Sequence, residues 1–224
     1  MAILLHIDTA TEFALVGFSK DGEVLAEQEN LEQQQHAAFL QPAIQALSKK
    51  IALPLQQIDA VVVSNGPGSY TGLRVGLASA KGICFALQKP LITLNTLQIM
   101  AHAARNAFPE ASLFCPMIDA RRMEVFTAVY DQALNAVMPT QAMILETDSF
   151  MDRLATEIMV FTGSGQEKFH QICTHPNAQF ASLRHTVADM CPLGEQAFVN
   201  QQFADLAYAE PFYSKAFHTA PPKK

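Results

Sequence analysis

The stretch Asn65-Gly66-Pro67-Gly68-Ser69-Tyr70-Thr71-Gly72-Leu73-Arg74-Val75-Gly76 stands between two segments of different character. Before it, Ile58–Ser64 is a short, almost wholly apolar run, typical of a β-strand covered on both faces. After it, Leu73–Leu87 is predicted to be a helix. Backbone N–H groups and the helix dipole can hold an anion at such a loop. The stretch therefore predicts an α/β fold with a phosphate or nucleotide site involving Gly66, Gly68 and Ser69.

The loop differs from the standard nucleotide-binding and hydrolase motifs. Its glycines are spaced G-x-G-x-x-x-G, one residue off the dinucleotide pattern, and the next acidic residue is Glu110. The chain contains no G-x-x-x-x-G-K-[ST] motif, and Ser69 lacks the G-x-S-x-G context of a hydrolase nucleophile. Neither a P-loop enzyme nor a serine hydrolase is indicated.

The helix after the loop carries unusually small side chains. Gly72, Gly76, Ala80 and Cys84 recur at i, i+4 spacing. Because each helical glycine costs about 1 kcal/mol relative to alanine, a close backbone contact is the expected compensation. The contact could be made by the chain's own sheet or by a helix of another protein, and the sequence leaves both interpretations open.

The flanking segments extend this pattern into a mixed sheet. The runs Ile3–Asp8, Phe13–Ser19 and Glu23–Gln28 are predicted strands of an antiparallel meander, with an Asp-Gly turn before the third. A helix over His36–Lys50, kinked at Pro42 or beginning near it, then precedes the central strand. With strand Leu91–Leu94 and helix Leu97–Phe108, the predicted order is β-β-β-α-β-α-β-α, typical of a sheet with helices on its faces.

From Leu113 the pattern restarts. Ile118-Asp119 ends a predicted strand as Ile7-Asp8 does, so two lobes of similar plan are expected, residues 1–109 and a smaller lobe at 110–224. An arrangement in which the C-terminal helix packs back on the first lobe is compatible with this division. The predicted elements of the second lobe are helix Asp148–Ile158, strand Met159–Thr162, helix Gln166–Cys173, an irregular segment Thr174–His185, helix Thr186–Phe203 and a frayed tail Pro221–Lys224.

Composition narrows the function classes. The chain has 224 residues, half of them hydrophobic, and a net charge of -6, so it should not bind nucleic acid strongly on its own. Residues 60–109 contain no acid, which suits an anionic ligand or an acidic partner surface as well as simple burial. The separated cysteines, the histidine spacing and the absence of a signal peptide or membrane span predict a cytoplasmic protein without a metal site.

Asp8-Thr9-Ala10-Thr11 follows the first strand and could hold a phosphate or a hydrated metal, with Asp119 as its counterpart in the second lobe. The alternative is a purely structural role, in which these side chains cap a turn. The nucleotide-site prediction therefore also includes Asp8, Thr9, Thr11 and Asp119.

The loop with its helix, Ile7-Asp8-Thr9-Ala10-Thr11, Ala80-Lys81-Gly82 and Ile118-Asp119-Ala120-Arg121-Arg122 together resemble the bacterial tRNA threonylcarbamoyladenosine biosynthesis protein B family (TsaB, also called YeaZ). This glycoprotease-like family is related to the threonylcarbamoyl-transferase subunit. The resemblance implies an actin/sugar-kinase/Hsp70-like (ASKHA) fold and a role in N6-threonylcarbamoyladenosine (t6A) formation.

One departure points away from catalysis. The transferase subunit has two metal-binding histidines where this chain has Thr96 and Met100, neither of which replaces an imidazole well. The resemblance then implies a non-catalytic subunit that dimerises with the transferase (TsaD-type) subunit, supports a small ATPase (TsaE-type) subunit, meets tRNA only through the complex and can form homodimers. No cofactor is required by this chain, although ATP or ADP with Mg²⁺ could sit at the shared interface.

The partner interface is expected on the helices near His36–Leu47 and Leu73–Leu87. Its predicted residues are His36, Phe39, Leu40, Leu47, Leu73, Arg74, Gly76, Leu77, Ala80, Lys81 and Cys84. An alternative hypothesis is an ATP-dependent phosphotransferase or ATPase that uses Asp8 and Asp119 around Mg²⁺.

Overall fold

Two five-stranded mixed sheets form the framework of the computed structural model, which describes residues 2–214. The first sheet has the order β3-β2-β1-β4-β5 and the second the order β10-β9-β6-β7-β8. The strands are β1 (Ile3–Asp8), β2 (Ala14–Lys20), β3 (Glu23–Asn30), β4 (Ala60–Gly66), β5 (Leu91–Asn95), β6 (Leu113–Asp119), β7 (Glu124–Asp131), β8 (Ala136–Ile144), β9 (Met159–Thr162) and β10 (Ala178–Ala181).

Six α-helices connect or follow these strands in the described part of the chain. They are α1 (His36–Lys50), α2 (Tyr70–Leu87), α3 (Thr96–Ala107), α4 (Met151–Leu154), α5 (Gln166–His170) and α6 (Val187–Val199). Helix α1 continues through Pro42, and α2 begins at Tyr70 with Ser69 as its N-cap. No helix within residues 2–214 is long and apolar enough to cross a membrane.

The two halves of the chain repeat one topology. In each sheet the first three strands form an antiparallel meander, and the fourth and fifth strands add in parallel beside the first. The helices fall at the same points, so both halves read β-β-β-α-β-α-β-α. The predicted restart at Leu113 is confirmed, and Asp8 and Asp119 are the last residues of equivalent strands.

The sheets and helices stack in layers. One core cluster contains residues of β1, β4, α3, β6, β9 and α6, so α3 and α6 lie between the two sheets. A second cluster joins the other face of the first sheet to α1 and α2, and a third joins the second sheet to α5. On β4, Val62 faces α3 and α6 while Val61 and Val63 face α1 and α2, which explains why residues 60–63 are all apolar.

Several predicted elements differ in the structure. The segment predicted to be irregular, Thr174–His185, contains β10, which pairs in parallel with β9. Strand β8 was not predicted, since its outer face is largely exposed and its sequence mixes polar and apolar residues. The helix expected over Asp148–Ile158 is the single turn α4. The expected tail Pro221–Lys224 lies outside the described residues.

Candidate functional site

The glycine loop and the start of α2 lie directly against the bend between β1 and β2. A Cβ atom at Gly68 would overlap the carbonyl of Ala10, and one at Gly72 or Gly76 would overlap the carbonyl or the side-chain oxygen of Thr9. The small residues on this face of α2 are therefore required by packing within the chain. Of the two interpretations left open by the sequence, the contact with the chain's own sheet explains this face.

Hydrogen bonds fix the loop on the bend. The Ser69 amide donates to the Ala10 carbonyl at 2.6 Å, and the Thr9 hydroxyl donates to the Gly72 carbonyl at 2.7 Å. The Ser69 side chain accepts a bond from the Gly72 amide, which caps α2. These bonds connect the loop and the first turn of α2 to the bend.

Asp8 is fully buried beneath this loop. One carboxylate oxygen accepts hydrogen bonds from the Ser64 hydroxyl and, at 2.8 Å, from the Ala10 amide, and the other lies 2.6 Å from Nε2 of His185. Burial alone would raise the pKa of Asp8. The hydrogen bond with His185, the charge of that histidine and the bonds from Ser64 and Ala10 together lower it by more. The pKa of Asp8 therefore lies below its usual value. Both oxygens are therefore occupied by the chain itself.

Three residues of the predicted nucleotide site are not presented to a ligand. Asp8 and Thr9 are buried in this network, and a side chain at Gly66 would overlap the carbonyl of Phe212, which covers it. In the structure His185 and Ser64 contact the Asp8 carboxylate, and a phosphate or hydrated metal beside this residue stays a prediction.

The other predicted residues meet at a cleft of about 600 Å³ between the two halves of the chain. Thr11, Gly68, Ser69 and Asp119 all line it. Asp119 accepts hydrogen bonds from Lys168 at 2.9 Å and from the Arg121 amide at 2.6 Å. Partial burial raises its pKa, but these bonds and the Lys168 charge lower it by more, so Asp119 stays ionised. The cleft is lined by the carboxylates of Glu12 and Asp119, the cation of Arg121 and the hydroxyls of Thr11, Ser69 and Thr71.

The positions that would need imidazoles for a transferase-type metal site belong to the interior. Thr96 is fully buried and Met100 is 6% exposed, and both lie on α3 between the sheets. The Met100 methyl group closely approaches Gly163. Within residues 2–214, no group of three or more His, Cys, Asp or Glu side chains could hold a metal ion.

Most residues predicted for the partner interface are buried within the chain. They are His36, Leu40, Leu47, Leu73, Gly76, Leu77, Ala80 and Cys84. These side chains pack against the first sheet, and their role in a partner interface stays a prediction. Phe39 is half-buried, and Arg74 and Lys81 reach the surface, where both bind the chain's own C-terminal residues.

The surface that α1 and α2 do present is a shallow apolar groove between them. Its lining residues are Gln41, Leu55, Gln56, Ala78, Ser79, Gly82, Ile83, Ala86 and Leu87. Among residues 2–214, nothing lies within 4 Å of the position that a Cβ at Gly82 would take. Beside the groove, Phe85 is 80% exposed. Small residues thus occupy both the inner and the outer face of α2.

The two side chains that contact the Asp8 carboxylate could not be predicted from the sequence. His185 lies in a segment without periodicity, and Ser64 looks like an ordinary residue at the end of a buried strand. The repeated Ile-Asp dipeptide pointed to Asp8 but not to the partners that close around it.

The duplicated sheet topology, with a cleft between the halves, defines a protein of the ASKHA fold. The family model described as "TsaD: tRNA N6-adenosine threonylcarbamoyltransferase" matches residues 23–219. The chain is also 30% identical over 220 residues to the "tRNA threonylcarbamoyladenosine biosynthesis protein TsaB" of Escherichia coli (strain K12), which covers 94% of this chain and 93% of that protein. The chain therefore belongs to the TsaB (YeaZ) family.

Two further similarities are informative. The solved structure titled "YeaZ from Pseudomonas aeruginosa" has a TM-score of 0.77 and 27% identity, covering 95% of this chain and all of that one. A tRNA N6-adenosine threonylcarbamoyltransferase of Symbiobacterium thermophilum is 38% identical over 103 residues, which is 45% of this chain and 29% of that protein. This alignment covers less than half of each chain, whereas the transferase family model matches most of this one.

Proposed function

We propose that this chain is a non-catalytic subunit required for forming t6A at position 37 of tRNAs that read codons beginning with A. As a TsaB-family protein it is involved in t6A biosynthesis. In the proposal it dimerises with the transferase subunit, supports the small ATPase subunit and meets tRNA only within the complex. A homodimer would use a related surface.

The observation that carries the partner assignment is the uncovered outer face of α2. Ala78, Gly82 and Ala86 are exposed along it, and Phe85 projects beside them. Small side chains let a partner helix approach closely, and an exposed aromatic ring next to them can fill a pocket on that partner. A related transferase chain carries the same kind of domain and could present an equivalent pair of helices.

Two features of the interior support the absence of catalysis by this chain. The Asp8 carboxylate is saturated by His185, Ser64 and the Ala10 amide. The α3 positions that correspond to transferase metal ligands are apolar or carry only a hydroxyl, and they pack between the sheets. In the proposal, substrate chemistry therefore belongs to the partner.

The interface is best tested with Ala78→Glu. A glutamate at Leu77, one of the predicted interface residues, would bury a charge at a position only 4% exposed and would test folding instead. Ala78 is exposed and glutamate is a good helix former, so folding should be retained while a charge enters the groove. We expect loss of co-elution with the transferase subunit and loss of t6A formation in the reconstituted reaction.

Ala155→Glu makes the same change at an exposed alanine beside α4 and serves as the matched control. It should leave complex formation and tRNA modification unchanged. If Ala78→Glu is folded, by circular dichroism, and still binds the transferase with full activity, the interface assignment is wrong.

The cleft favours a second candidate, an ATP-dependent phosphotransferase or ATPase. Thr11, Ser69 and Asp119 line a space large enough for a small ligand, and ATP or ADP with Mg²⁺ would sit there or at the shared interface. The test is ATP turnover by the isolated chain. Hydrolysis that disappears in Asp119→Asn would favour this candidate over the non-catalytic subunit.

A further inference from the structure

Residues 204–213, here called the C-terminal strap, contact β5, helix α2 and the glycine loop. At one end the Ala204 amide donates to the Leu91 carbonyl at 2.8 Å, which covers part of the free edge of β5. At the other end the Phe212 amide donates to the Asn65 carbonyl at 2.6 Å, next to the glycine loop. The strap therefore spans the first lobe from its edge strand to the loop.

Two cationic side chains of α2 hold the strap between these ends. Nζ of Lys81 donates to the carbonyls of Ala207 at 3.2 Å and Ala209 at 3.0 Å. Nε of Arg74 donates to the Tyr213 hydroxyl at 3.0 Å. These bonds use the cations that the sequence had suggested for a partner, and they fix the backbone on both sides of Tyr208.

The strap divides its side chains between core and surface. Ala204, Leu206 and Ala209 pack against the cluster formed by the first sheet, α1 and α2. Tyr208 points the other way and is 82% exposed. An aromatic side chain on an immobilised backbone loses little conformational freedom on binding, which is the property of an interface anchor.

We propose that the strap forms one wall of the surface that docks the transferase-type partner, with Tyr208 as an anchor and Lys81 as a positioning residue. The inference rests on the proposed function. It follows from the continuity of the strap with the exposed face of α2. Ala78, Lys81 and Phe85 are three and four residues apart, so they lie on one face of this helix. Lys81 thus joins the strap directly to the exposed face assigned to the partner.

The test measures affinity for the purified transferase subunit by calorimetry. Tyr208→Ser should weaken binding about tenfold or more without changing the melting temperature of the isolated chain. Val199→Ser, at a residue that is 67% exposed at the end of α6, is the control and should bind normally. Lys81→Met should weaken binding and speed amide hydrogen exchange in the strap, and Lys81→Arg should restore both, since arginine keeps the donors.

The outcomes separate this inference from the function on which it rests. If Ala78→Glu abolishes binding and Tyr208→Ser does not weaken it, the partner uses α2 without the strap, and the inference is wrong while the proposed function stands. If wild type does not bind the transferase, the proposed function itself fails. If Lys81→Met speeds exchange in the strap but binds normally, Lys81 has a structural role only.

Discussion

Asp8 and His185 form a buried pair that joins the end of β1 to the segment before α6, 177 residues further along the chain. Removing one partner of a buried ion pair leaves the other without compensation, which typically costs about 3 to 5 kcal/mol. Asp8 is fully buried, and His185, Ser64 and the Ala10 amide contact both of its oxygens. These contacts predict a contribution of Asp8 to stability.

The first prediction concerns the pH dependence of stability. Because the pKa of Asp8 is lowered in the folded chain, its contribution is present above the unfolded pKa of about 4 and is lost as the pH falls through the folded value. Asp8→Asn should lower the free energy of unfolding at pH 7 by about 3 kcal/mol. Below pH 4 the difference from wild type should shrink. Urea unfolding across this pH range measures both effects.

Asp152→Asn makes the same change at an exposed aspartate on α4 and should alter neither stability nor its pH dependence. Equal stability of Asp8→Asn and wild type at pH 7 would show that the pair makes no net contribution to folding.

Helix α2 has one face that packs inside the chain and another that is exposed. Its inner glycines, Gly72 and Gly76, allow the helix to contact the β1–β2 bend, where Thr9 leaves no room for a Cβ atom. Its outer glycine, Gly82, faces open space. The two sets look alike in the sequence because helical spacing shows that residues share a face but not what lies opposite that face.

The second prediction uses this contrast. Gly72→Ala should destabilise the protein by about 2 kcal/mol or more, since the new methyl group would overlap the Thr9 carbonyl. Gly82→Ala should be neutral or stabilise the chain by up to about 1 kcal/mol, because alanine is the better helix former. Thermal and urea unfolding of the two variants give the comparison. Similar effects of both changes would contradict the assigned packing.

Helices α3 and α6 share one core cluster with strands of both sheets and so connect the two halves of the molecule. Helix α6 belongs to the second half of the sequence, yet Gly194 lies against Val62 and His6, and Val187 lies against Gly17 of the first sheet. The first half therefore depends on the second for part of its core. The division into 1–109 and 110–224 stays a prediction about sequence repeats, which need not be independent folding units.

The third prediction follows from this shared core. The full chain should unfold in one transition, with coincident urea curves by circular dichroism and by tyrosine fluorescence. A separate 1–109 fragment should fail to fold, because the face covered by α6 would be exposed to water. A stable, cooperatively melting fragment would show that α6 contributes little to the first lobe.

The strand and helix order of the first half was predictable from local sequence, because alternation, helical spacing and turn residues are local signals. The repeated Ile-Asp dipeptide also revealed the second lobe. Strand β10 and the short helix α4 were harder to predict from the sequence, since both depend on neighbours in the second sheet rather than on their own periodicity.

Local sequence was sufficient to establish the α/β class, the glycine loop before α2 and the family, since all three depend on residues close together in the chain. The roles of individual residues required the folded arrangement. The contacts of Asp8 depend on His185, the packing of the inner face of α2 depends on Thr9, and the bonds of Lys81 depend on the strap. These are contacts between distant segments, and their energies exist only once folding brings the segments together.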